Sequence, residues 1–155
     1  MGTDKFGKKK DNKDNKKFDS KKKNVNKADI KKADVKKPVY KSFLYLLTEL
    51  VNAGELSAVL DFIDKDAIEV WTDVNVLEIT TKNGTVTFED FMSSLRKDDK
   101  ELLEKMSVKQ VYACDYQDLD QRTVRDIMQK LTASFAGKIA SDTEDFQPFM
   151  EISQL

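Results

Sequence analysis

An α+β domain is predicted by three observations. Two apolar stripes at helical spacing, within 39–51 and 55–63, run straight into the short β-rich segment Ala67–Trp71. Asn83-Gly84 then stands between two further β-rich segments, Val74–Ile79 and Thr85–Phe88, which is the strongest short hairpin signal a sequence carries. Later apolar runs at Val108–Tyr116 and Phe149–Leu155 again read as strands.

In chain order, Pro38 suits the first turn of a helix, where its missing N–H costs nothing. Tyr40, Phe43, Leu44, Leu47 and Val51 follow as one stripe, so the spacing predicts a helix over 39–51. Asn52-Ala53-Gly54 is a break, with Gly54 where a left-handed C-terminal residue belongs. Leu56, Val59, Leu60 and Ile63 predict a second helix, Glu55–Ile63, ended by Asp64-Lys65-Asp66. A two-residue hairpin loop at Asn83-Gly84 pairs Thr81 with Val86 and Ile79 with Phe88. Thr87 and Asp90 resemble a capping box, and Phe88, Phe91, Met92 and Leu95 predict a third helix from near Phe88. Arg96–Lys100 is a charged break, after which Leu102, Leu103 and Met106 extend or restart that helix. In Thr123–Phe135, Val124, Ile127, Met128, Leu131 and Phe135 fit a helix well, and one face of a long strand less cleanly. Periodicity favours the helix there.

The charge is divided. Residues 1–37 hold 15 Lys and 6 Asp, a formal +9, whereas residues 38–155 hold 12 basic and 22 acidic residues, a formal −10. The first segment is Lys/Asn/Asp-rich with few apolar residues, too few to offset the entropy of ordering it, so it reads as a disordered arm before a single domain at 38–155. Such asymmetry points to an acidic partner for the arm and a basic one for the domain. Fifteen lysines can also neutralise phosphates without reading sequence, which allows non-specific nucleic-acid contact by the arm.

The chain has one cysteine, Cys114, and no histidine. An internal disulfide and a Ser-His or Cys-His nucleophile are therefore excluded, and no cofactor or metal site is expected. No apolar run approaches the roughly 20 residues that cross a bilayer, so no membrane role is expected and the protein reads as soluble and intracellular.

The order helix, helix, strand, hairpin, helix and then mostly strands resembles the nuclear transport factor 2-like superfamily. The residues that carry this are Asn52-Ala53-Gly54-Glu55-Leu56 through Leu60, then Asp64-Lys65-Asp66-Ala67 and Trp71, and Gly84 to Leu95. Towards the C-terminus they are Tyr116–Gln121, Ala133–Gly137 and Phe146-Gln147-Pro148-Phe149-Met150. The resemblance implies a curved, mostly antiparallel sheet wrapped as a cone around about three helices, and requires strand in 123–135.

The resemblance also supplies the functional candidates. Its transport branch implies a non-enzymatic adaptor in nucleocytoplasmic transport or RNA export, dimeric with itself or a related chain through the sheet. Its partners would be nuclear-pore repeats, a transport GTPase or an export receptor, which would place the protein in nucleus and cytoplasm. Trp71, Phe149 and Met150 are then the apolar anchors, with Asp142, Glu144 and Asp145 as an acidic loop facing a basic partner. The alternative is a small-molecule-binding or isomerase/dehydratase-like cone. There Asp73 is the general base and Tyr45 the oxyanion donor, with Asp115 and Tyr116 as a second pair. A metabolic enzyme gives a disordered lysine arm no role, which favours the adaptor.

Overall fold

The computed structural model describes residues 37–155; the disorder and nucleic-acid contact expected of the arm fall on residues outside these, save Lys37. Seven strands form one curved antiparallel sheet in the order β2-β3-β4-β5-β1-β6-β7. They are β1 (Tyr40–Leu47), β2 (Ile68–Trp71), β3 (Val76–Thr80), β4 (Thr85–Asp90), β5 (Gln110–Gln117), β6 (Gly137–Ala140) and β7 (Phe149–Met150). Three helices accompany them, α1 (Ala53–Ala58), α2 (Lys97–Lys105) and α3 (Gln121–Ser134). The α+β class and the sheet with about three helices stand as expected.

The first element does not. The predicted helix over 39–51 is instead strand β1, paired on one side with β5 and on the other with β6. Its five residues Phe43–Leu47 are all buried. A central strand covered on both faces needs an unbroken apolar run, whereas an amphipathic helix needs a polar face. Helical spacing was present only because every position in the run is apolar.

Asn52 is accordingly the start of a helix and not the end of one. Its side chain accepts from Glu55 N–H at 2.9 Å, while the Glu55 carboxylate accepts from Asn52 N–H at 2.8 Å, a complete capping box. Gly54 lies inside α1, which stops at Ala58, short of the predicted Ile63. Leu56 and Leu60 still enter the core.

The hairpin forms with a shifted register. Ile79 pairs with Val86 and Leu77 with Phe88, and Thr81 closes onto Gly84, whose carbonyl accepts its N–H at 2.8 Å. The loop is thus Lys82-Asn83. This register lets Thr81 Oγ1 (2.6 Å) and Asn83 Nδ2 (2.8 Å) both donate to the buried Asp120 carboxylate. The shift is two residues, so each side chain keeps its face.

Phe88 belongs to β4, not to a helix; only a 3-10 turn at Met92–Ser94 and then α2 follow. The expected Thr87–Asp90 box is replaced by Asp90 accepting from Met92 N–H at 2.9 Å. Thr123–Phe135 takes the helical alternative as α3, burying Val124, Ile127, Met128 and Leu131. The expected final strand is reduced to β7, before a 3-10 turn at Ile152–Gln154. Both the leading helix and the strand at 123–135 that the nuclear-transport pattern contains are therefore absent from the described residues.

Two apolar layers result. On the inner face, Phe43, Tyr45, Tyr112, Cys114 and Phe88 pack under α1 and α3. On the outer face, Leu44, Leu46 and Val111 pack under Leu103 of α2 and Phe146 of the 141–148 loop.

Candidate functional site

Strand alternation decides which predicted residues can act together. Asp115 and Tyr116 are neighbours in sequence, so they point to opposite faces: Asp115 is exposed on the outer face and Tyr116 is buried among the inner residues. Tyr45 is also on the inner face and fully buried, its hydroxyl donating to Phe135 C=O at 3.2 Å. Burial, with Glu49 adding to it, pushes the Tyr45 hydroxyl well above the usual phenol range. Asp73 lies exposed in the turn between β2 and β3. The inner face on which a cone-type pocket would open is filled by α1 and α3. The structure brings together neither catalytic pair.

Of the partner-binding candidates, Trp71 is 52% exposed at the edge of the sheet, on β2. Asp142, Glu144 and Asp145 are exposed in the loop before β7, and Phe149 is exposed on the outer face. Met150 turns the other way and packs against the inner core. β2 and β7 are opposite edges of the sheet. The six residues therefore do not form one patch.

Sequence reasoning missed the surface between them. On the outer face, Glu69 is directly opposite Glu78, Glu78 opposite Thr87, Thr87 opposite Asp115, and Asp115 opposite Ser42. The next row runs Trp71, Val76, Glu89, Ala113 and Leu44. Three carboxylates in one row and a fourth beside them make an acidic ladder across β2–β5, with an exposed indole at one end. Like charges placed directly opposite destabilise a sheet, so Glu69 and Glu78 are a local cost to the fold. Trp71 Nε1 donates to Glu69 Oε2 at 3.4 Å, a long and weak contact.

Among the described residues the ion pairs are Lys41–Asp118, Arg96–Asp99, Lys97–Glu101 and Lys130–Asp61. None involves a carboxylate of the ladder. Asp115 also feels Asp142: burial first, and Asp142 second, raise its carboxyl above the usual range. A raised carboxyl means that the charged form is disfavoured by folding, so protonation adds stability as pH falls through the folded value. Asp115→Asn should therefore unfold at a higher urea concentration than the wild type at neutral pH. The gap should close as pH falls below the ordinary carboxylate range, where both side chains are neutral. A variant less stable than wild type at neutral pH would contradict this.

The signal for the ladder was present as alternation, in Glu69 and Trp71 against Ile68 and Val70, and in Glu78 against Leu77 and Ile79. It needed the observed register to become a row. No protein-family model, curated protein or solved structure matches the chain. No helix among the described residues is long and apolar enough to cross a membrane.

Proposed function

We propose that the protein is a non-enzymatic binding module that holds a lysine- or arginine-rich segment of a protein partner on the outer face of β2–β5. The observation that carries this reading is the ladder Glu69, Glu78, Asp115 and Glu89, which has no counter-cation among the described residues. Opposed like charges are retained there at a cost to stability, and a basic partner would turn that cost into attraction. Trp71 adds a flat aromatic surface at the ladder's end, suited to stacking under a guanidinium or ammonium group. The net −10 of residues 38–155 steers a basic partner towards this part of the chain. Transport between nucleus and cytoplasm or RNA export, with a dimer through the sheet, is the narrower form of the same proposal.

Trp71 is the chain's single tryptophan, so its emission reports directly on this face. Titrating the full chain with a lysine/arginine-rich peptide should give a saturable change in tryptophan emission that weakens steeply with added salt. Glu69→Gln with Glu78→Gln should weaken binding at least tenfold and leave the fold intact, since it removes the directly opposed like-charge pair without introducing another. Equal binding by that variant, or an equal emission change with an uncharged peptide of the same length, would refute the reading. A phenylalanine–glycine repeat peptide tests the narrower form: saturable binding would favour it, and no binding would remove its nuclear-pore arm.

A further inference from the structure

A second feature lies on the same outer face but at the other end of the sheet, over β1, β6 and β7. There the face is not flat. Leu103 of α2 and Phe146 of the 141–148 loop are both anchored in the outer core, and a groove of about 450 Å³ is lined by other residues of α2 and of that loop. Leu46 and Val108 belong to its lining together with Leu102 and Met106 from α2 and Phe149 from β7. That volume and apolar lining are those of a small-molecule site.

The polar residues that line the groove are Lys138, Thr48, Asp145 and Gln147. Lys138 stands opposite Leu46 across β1 and β6, and its ammonium lies 4.7 Å from the centre of the Phe149 ring. No carboxylate among the described residues lies within ion-pair distance of it. Thr48 Oγ1 donates to Ala136 C=O at 3.2 Å. Asp145 also borders the groove, but its Oδ1 accepts from Thr143 Oγ1 at 3.0 Å and from Gln147 N–H at 3.2 Å, which fixes the loop. The groove thus offers one unspent cation over an aromatic wall, beside an apolar trough, with one carboxylate held nearby.

From this arrangement we infer that the groove binds a small amphipathic monocarboxylate, its aliphatic part along Leu46, Leu102, Met106 and Val108 and its carboxylate on Lys138. The held Asp145 makes a second negative charge on the head group unfavourable, so a carboxylate suits the site better than a phosphate ester. This site uses none of the ladder residues, and its outcome does not decide the peptide-binding reading.

The test is a titration of the full chain, labelled on its methionine methyl groups, with decanoate, decanol and decyl phosphate below their aggregation concentrations. Decanoate should bind saturably at one site and shift the Met106 methyl signal, leaving Met128 and Met150, which face the inner core, unmoved. Decanol and decyl phosphate should each bind at least tenfold more weakly. Lys138→Met, which keeps an aliphatic stem over Phe149, should lose tenfold or more for decanoate and nothing for decanol. Met106→Trp or Thr48→Met, filling the groove from opposite walls, should abolish binding; circular dichroism identifies which of them folds, and either one suffices. Absent saturation, unchanged decanoate affinity in Lys138→Met, tighter binding of decyl phosphate, or shifts confined to Met128 and Met150 would each overturn the assignment.

Discussion

Asn75→Ala should be among the most damaging single substitutions in the domain, costing about 3–4 kcal/mol. Asn75 sits at φ 54° in the turn between β2 and β3, a left-handed conformation that Asn tolerates and alanine resists. Its side chain joins three elements. Oδ1 accepts from Ala53 N–H at 2.7 Å, at the first residue of α1, and lies 3.1 Å from the Tyr112 hydroxyl of β5. Nδ2 donates to Asp90 Oδ2 at 2.8 Å, at the end of β4. The Tyr112 hydroxyl in turn donates to Val51 C=O at 2.6 Å, and burial pushes it up to about 12. Truncation strands a helix N-terminal N–H and a charged acceptor, and it adds backbone strain. Three variants separate these causes in urea unfolding. Asn75→Gly keeps the backbone and loses only the bonds, so it should lie about 1 kcal/mol above Asn75→Ala. Asn75→Asp keeps the acceptor but sets a second carboxylate against Asp90, so its deficit should shrink as pH falls and the pair takes up a proton. Equal stability of the Gly and Ala variants would show that the left-handed backbone is not a source of the cost.

This hub also shows how far the sequence could be read. Asn75 is an ordinary turn residue in one dimension, and nothing local tells that Ala53, Asp90 and Tyr112 converge on it. Local signals were sound where one side of an element meets solvent. The hairpin, the amphipathic α3 and the side-chain faces of β2–β4 all carry alternation or a stripe. They failed where burial removes the polar reference. Phe43–Leu47 is apolar on both sides, and an unbroken run fits any period. The same loss misplaced Tyr45, read as an oxyanion donor on a helix lining an open cone, when it lies on β1 within a filled inner core. Acidic residues at 69, 78, 89 and 115 were visible individually, but a ladder is a property of register, and the register depended on Thr81 and Asn83 reaching Asp120, 37 or more residues away.

The two outer-face features follow from that topology. α2 and the 141–148 loop cover β1 and the strands beside it, leaving the outer face of β2–β4 without a helix over it. That uncovered part is where Glu69, Glu78, Glu89 and Trp71 are found. An open sheet face needs polar residues to stay in water, but threonine would serve, as it does at Thr80, Thr85 and Thr87. Charges of one sign directly opposed are a poorer choice for the isolated fold. They are a better choice for a surface that meets a basic chain.

The second large effect is expected at Gly137, the first residue of β6. Gly137 stands opposite Leu47, where β6 begins to pair with the central strand. A Cβ there would lie 2.6 Å from the Leu46 carbonyl oxygen, 2.8 Å from Tyr45 Cε2 and 3.2 Å from Leu47 Cδ2. The first of these is main chain of β1, held on both sides by β5 and β6, so it cannot yield as a flexible side chain would. Gly137→Ala should therefore cost about 2–3 kcal/mol, at the upper end of what overpacking does. For a domain of this size that lowers Tm on the order of 10 °C, measurable by thermal unfolding. Gly137→Val should cost more. Tyr45→Leu withdraws the aromatic edge but not the carbonyl, so combining it with Gly137→Ala should leave most of the alanine penalty in place. Full rescue by Tyr45→Leu would instead put the constraint in the side chains. The strain should also appear locally, as faster amide exchange at Lys138 and Ile139 than at β4 and β5. β6 is the strand that carries Lys138 to the groove, and an added methyl group pushes it away from β1. Gly137→Ala should for that reason weaken decanoate binding even under conditions where the domain remains fully folded.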